Sequence, residues 1–352
     1  MAACSRCGVG VGEVGCGPPS HSLLTNYFGP HKRTMALPVY GLGVPIGVLI
    51  GSVAGGWIAQ HYGWRAALMI VGLPGLFIAI LLKLTVREPA RGASDLVAAA
   101  ALPRSLGEVL TLLFSTPAFR HMAAGLVVFS IGMSGINGFM APYFSRRFAL
   151  NYATGGLIVG IVYSFAGVVV SALAEAILRN GRDATIGASI WSLRQSASRA
   201  AGFLMLAFVQ TSWPWLAALM LVPQLLSATY MARVFAVTHN MVDARMRATD
   251  AATLLFLMNM VGMSLGPTAG WRLSDLLSAH AFPGPVAFAE GCPGGAALAG
   301  GAPALADACR IVLGDGTRMA LMLCTPIILS SAVHYYLASR LVIRDLAGGD
   351  DT

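Results

Sequence analysis

Apolar residues in this chain gather in blocks of about 20, each closed by a cluster of charged, Gly or Pro residues, and short alternating runs are rare. A helix needs about 20 such residues to cross roughly 30 Å of hydrocarbon with its backbone polar groups bonded internally. The pattern predicts nine membrane helices, at about 5–27, 35–59, 65–86, 120–142, 155–178, 187–210, 214–237, 249–272 and 319–341. The chain therefore reads as an all-α polytopic membrane protein. Three helices fall in residues 1–86, a central charged connection occupies 87–119, and six helices follow in 120–352. A short interfacial helix is expected at about 104–115, where the connection turns amphipathic. Residues 278–318, rich in Ala, Gly and Pro, read as a long loop that is more a mobile excursion than a folded unit.

The basic residues give the blocks a direction, because Lys and Arg accumulate in cytoplasmic connections. One set of connections holds Lys32, Arg33, Arg87, Arg91, Arg104, Arg179, Arg182, Arg245, Arg247, Arg340 and Arg344. The alternate set holds Arg65, Arg146, Arg147, Arg310 and Arg318, and is poorer. The richer set is expected in the cytoplasm, with the C-terminus inside and 278–318 outside.

Composition agrees: 56% of the 352 residues are hydrophobic and 11% charged, against about a quarter charged in a soluble domain. The net charge of +8 is divided among the connections and forms no continuous stripe, so a nucleic-acid partner is excluded. Cys4 and Cys7 form a CxxC with no second Cys or His pair, so no metal site is expected. Cys292 and Cys309 share the 278–318 loop and can pair if it faces an oxidising compartment. No Walker A, HExxH or GxSxG sequence is present, so the residues point to no nucleotide cofactor and no hydrolase chemistry.

Ionisable residues inside a span mark candidate chemistry, since burying charge in hydrocarbon is costly unless it is paired or faces a polar cavity. Arg6 and Glu13 are seven residues apart on one face of the first span, and are candidates for binding substrate and coupling ions. Asn137 and Asn259 are polar positions within later spans and are candidates for substrate contact or interhelical hydrogen bonds. Gly43, Gly47, Gly51 and Gly55 recur every four residues on one helical face, as a close or gating helix contact requires. Glu175 and Arg179 form an acid-before-base pair one turn apart at a helix end, suited to locking neighbouring helices. Lys83 can snorkel to the headgroups and needs no special role.

The stretch RCGVGVGEVGCGPPSHSLLTNYFGPHKRTMAL, followed by YGLGVPIGVLIGSVAGGWIAQHYGWRAALMIVGLPGLFIAILLKLTVREP, resembles helices four to six of the major facilitator superfamily. More narrowly it resembles the Spinster-like branch, whose fourth helix has an Arg and, seven residues on, a Glu within GxGE, as at Arg6 and Glu13. HNMVDARMRATDAATLLFLMNMVGMSLGPTAGWRLSDLL is similar to the branch's tenth-to-eleventh connection and eleventh helix, with Arg247 and Asn259 at positions the pattern expects. The resemblance implies a twelve-helix fold of two six-helix bundles working by alternating access, here represented by helices four to twelve. It implies a secondary transporter, not an enzyme, in the plasma (inner) membrane, acting as a monomer with membrane lipid around it. It further implies proton coupling through Glu13 and an anionic, small or amphiphilic, lysolipid-like solute drawn to Arg6. The absence of the first three helices is expected to arise from a misassigned start or a truncated gene, and a non-transporting remnant or scaffold is the alternative function.

Overall fold

The computed structural model describes residues 39–86, 105–172, 186–242, 246–283, 287–295 and 303–347, with isolated positions from Ser20 to Ala36. Arg6, Glu13, Glu175 and Arg179 lie outside the described residues. Within them the chain is helical throughout: α1 (Gly43–Tyr62), α2 (Trp64–Thr85), α3 (Leu106–Ser115), α4 (Pro117–Phe148), α5 (Tyr152–Ala172), α6 (Ile186–Phe208), α7 (Trp213–His239), α8 (Arg247–Leu257), α9 (Ser264–Ala281), the short α10 (Phe288–Gly291) and α11 (Pro303–Ala347). Gly63, at a φ of 82°, makes the sharp turn between α1 and α2 that a residue with a side chain resists.

Seven helical segments are long and apolar enough to cross a membrane: Val39–Tyr62, Trp64–Thr85, Pro117–Phe148, Tyr152–Val170, Trp213–His239, Thr249–Ala281 and Pro303–Val342. They correspond to seven of the nine predicted spans, and the predicted 5–27 span lies outside the described residues. The predicted 187–210 span forms the 23-residue helix α6, long enough to cross, yet the sequence SLRQSASR keeps it out of the apolar set. It packs between α7 and α11, so neighbouring helices shelter part of its polar face.

The expected interfacial helix forms as α3. Ser105 accepts from the Glu108 backbone N–H and Glu108 accepts from the Ser105 backbone N–H, each at 3.3 Å, a reciprocal cap that fixes its start. Val109 and Leu113 are buried beneath it.

The 278–318 loop is shorter than its Gly and Pro content predicts. Helix α9 runs to Ala281, and Pro303 begins α11, which continues without a break to Ala347. Three contacts hold the early turns of α11 against the bundle: Arg147 to Asp315 at 3.3 Å, Arg146 Nη1 to Thr317 Oγ1 at 2.9 Å, and Arg318 Nε to the Phe208 carbonyl at 2.8 Å. Cys292 and Cys309 are joined as a disulfide, which ties α10 to α11.

The core lies among α4, α6, α7 and α11, where Phe119, Met122, Leu126, Ile136, Leu193, Leu204, Ile328 and Tyr335 are nearly inaccessible. Lipid tails are as apolar as these side chains, so close fit and internal hydrogen bonds hold the helices together more than exclusion of water does. Phe129 stacks on Tyr230 with ring centroids 3.9 Å apart, and Tyr230 donates to the Gly125 carbonyl at 3.1 Å. Helix α2 buries no residue, and among the described residues its main contact is with α1. The Arg146, Arg147, Asp315 and Arg318 cluster and the disulfide mark one end of the bundle, while Asp250 and His239 meet elsewhere at the turn joining α7 to α8.

Candidate functional site

Two polar side chains meet where α4 crosses α7. The Gln224 amide donates to Asn137 Oδ1 at 2.7 Å, and Gln224 is 5% exposed. An amide buried among apolar helices must find such a partner, because an unmade hydrogen bond costs about 1–3 kcal/mol. The pair stands between two cavities. One is a pinhole of about 10 Å³ beside Met140 and Phe144; the other is a space of about 260 Å³ between α1, α5 and α7. Gln224 and Tyr163 line both, so they form the wall through which the two spaces adjoin. The larger one is bordered by Gly41, Pro45 and Gly167, and its polar groups include Ser227. A neutral amide pair of this kind can orient a polar headgroup by donating and accepting together, without the cost of a buried charge.

The glycine stripe of α1 does not make the close contact in these residues. No described atom lies within 4 Å of a Cβ built on Gly43, Gly47, Gly51 or Gly55. The opposite face, carrying Pro45, Leu49, Ser52 and Gly56, packs on α5 instead. There the glycines that permit the approach belong mainly to α5: a Cβ on Gly160 would lie 3.1 Å from the Ser52 Cβ, and one on Gly167 would lie 2.7 Å from the Pro45 Cβ. Ser164 Oγ donates to the Pro45 carbonyl, joining the two helices by a polar contact as well. The signal for this face was present in the sequence as Gly156, Gly160 and Gly167, spaced four and seven apart within an apolar run.

Asn259 sits in a π-helical turn, Met258–Met263, inserted between α8 and α9. Pro267 accounts for where that turn ends, since its ring displaces the carbonyl four residues earlier, at Met263, and supplies no N–H to it. Ser134 of α4 donates to the Gly262 carbonyl at 2.9 Å, and Gly266 is pressed against Ser134 and the backbone of Ile131 so closely that a Cβ would collide with both. The Asn259 side chain is half-buried, 122 positions from Asn137, and lines neither of the two cavities beside Gln224. Arg247 opens α8, and its side chain lies outside the described residues.

The sequence reading missed Gln224 and Tyr163, and it missed Asp250. The Asp250 carboxylate is wholly buried and faces His239 Nε2 at 3.6 Å, bringing the end of α7 to the start of α8. An acid in the first turn of an apolar helix was the available signal. Among the described residues no cluster of three metal-ligating side chains occurs.

The Major Facilitator Superfamily profile matches residues 1–270. An MFS-type efflux pump of Mycolicibacterium smegmatis is 27% identical over 282 residues, which are 78% of this chain and 63% of that protein. A sphingosine-1-phosphate transporter of Danio rerio is 37% identical over 93 residues, which are 26% of this chain and 18% of that protein. The chain thus spans less than two thirds of the length of these relatives. Among solved structures, a bacterial homolog of the human lysosomal transporter Spinster, in an inward-facing and unoccupied conformation, superposes with a TM-score of 0.70 at 22% identity, covering 94% of this chain and 76% of that one. That likeness extends the expected fold across nearly the whole chain.

Proposed function

Because this chain belongs to the major facilitator superfamily, we propose that it acts in secondary transport, moving a small or amphiphilic anionic solute across the membrane by alternating access. The observation that carries this reading is the Gln224–Asn137 pair, a hydrogen-bonded polar group held at the junction of two cavities inside apolar helices. The α1–α5 contact supplies the moving part. Its glycines and small side chains leave a smooth face along which three helices on one side, from residues 1–86, can rock against six on the other, from 120–352.

Arg6 attracts the anionic headgroup, and Glu13 takes up and releases the coupling proton as the halves rock. The efflux-pump and sphingosine-1-phosphate-transporter names of the relatives support an amphiphile as cargo. The protein works as a monomer in the plasma (inner) membrane, with its C-terminus in the cytoplasm. The Cys292–Cys309 disulfide supports that orientation, since such bonds persist on the oxidising side.

The test is flux of a fluorescent lysophospholipid in proteoliposomes containing the full-length gene product under an imposed pH gradient. Wild-type protein is expected to accumulate the probe and Glu13→Gln to lose the gradient-driven component while still exchanging probe. Equal gradient-driven uptake by both would contradict proton coupling at Glu13, and no specific flux from folded wild-type protein would contradict transport of this cargo class.

A further inference from the structure

The outer face of α6 and α11 carries a cationic groove. About 540 Å³ of open space lies between these helices, lined by Arg194 and Arg199 of α6 and by Leu329, Val333 and Tyr336 of α11. Arg340 lies beside it, donating to the Tyr336 hydroxyl from Nη2 at 3.0 Å and from Nε at 3.3 Å. The guanidiniums of Arg194 and Arg340 stand 5.7 and 5.3 Å from the centre of the same Tyr336 ring.

Three arginines therefore border one groove, and no carboxylate pairs with any of them among the described residues. Three cations bordering one groove without a carboxylate favour an anion as its occupant. The groove walls identify its kind. Leu329 and Val333, 48% and 57% exposed, continue the groove as an apolar track along α11. Arg199 lies five residues from Arg194, roughly 7.5 Å farther along α6, and its long stem can snorkel back toward the same charge. The groove also accounts for α6 being, among the long helices of the described residues, the one too polar for the apolar set: its charged face suits a headgroup, not acyl chains.

We propose that this groove binds an anionic phospholipid, its phosphate held by Arg194, Arg199 and Arg340 and one acyl chain lying along Leu329 and Val333. The occupant is a resident lipid on the outside of the bundle, separate from the transported solute near Asn137 and Gln224.

The test uses the full chain in mild detergent, stripped of lipid and titrated with phosphatidylglycerol, phosphatidylcholine or inorganic phosphate, with retained ligand read by native mass spectrometry. The three arginine contacts are expected to favour phosphatidylglycerol over phosphatidylcholine by roughly 100-fold. The Arg194→Gln/Arg199→Gln double variant, which keeps Arg340, is expected to cut that preference to roughly fivefold. A photoactivatable phosphatidylglycerol added to wild-type protein guards against misfolding of the variant, and its label is expected on 194–199 and 329–340. Equal retention of the two phospholipids by wild type, an undiminished preference in the folded double variant, or label spread evenly over the other lipid-facing helices would overturn the proposal. Full displacement of the lipid by millimolar inorganic phosphate would also overturn it, by making the site one for a free anion.

Discussion

Gln224 and Asn137 satisfy each other at 2.7 Å, so the two are not equally tolerant of single and paired replacement. Gln224→Leu takes this partner from the half-buried Asn137 amide and is expected to lower stability by about 1 kcal/mol, while Gln224→Leu/Asn137→Leu loses less than the sum of the single variants. Thermal unfolding of the four proteins in detergent measures this coupling, and additive losses would mean the bond contributes nothing. At this scale the sequence was legible only in part. Asn137 stood out as a polar residue in an apolar span, but its partner is 87 positions away, and only the packing of α4 on α7 brings the two together. Asp250 and His239 were hidden for the same reason. Each looks like an ordinary residue of a helix end until the chain returns and sets them 3.6 Å apart.

For the helices, length and apolarity were a good guide, and the helices that satisfy both begin and end within several residues of the predicted spans at most boundaries. Two departures have physical causes. Helix α6 is kept polar by an arginine-bearing face that composition alone cannot assign to a groove. Residues 303–318 look like loop because of their Gly and Asp content, yet contacts from Arg146, Arg147 and Phe208 hold them in helix α11. The glycine stripe shows the limit of spacing arguments. Regular spacing marks a smooth face, but which face meets a neighbour depends on the partner, and α5 meets the side of Pro45 and Ser52. Accordingly Gly167→Val, whose Cβ would lie 2.7 Å from the Pro45 Cβ, is expected to cost about 1–3 kcal/mol through overpacking. Gly47→Ala, with no described atom within 4 Å of its added Cβ, is expected to lose much less. Thermal denaturation of the two variants decides this, and equal loss would mean that the stripe also packs.

Across the described residues, three of the connections expected outside meet at one end of the bundle, where Arg147 is paired with Asp315, Arg318 donates to the Phe208 carbonyl and Cys292 is bonded to Cys309. In intact cells, a membrane-impermeant maleimide is expected to label a Glu290→Cys variant, whose position in α10 is exposed beside the buried disulfide, and labelling only after the membrane is breached would reverse the orientation. The account as a whole rests on movement at the α1–α5 contact, where a Cβ on Gly160 would lie 3.1 Å from that of Ser52. The most direct measurement is solute flux by the full-length Ser52→Cys/Gly160→Cys protein before and after oxidation, with each single-cysteine variant as control. Alternating access about this contact predicts that cross-linking arrests flux in the double variant alone and that reduction restores it, whereas unchanged flux with the cross-link fully formed would contradict it.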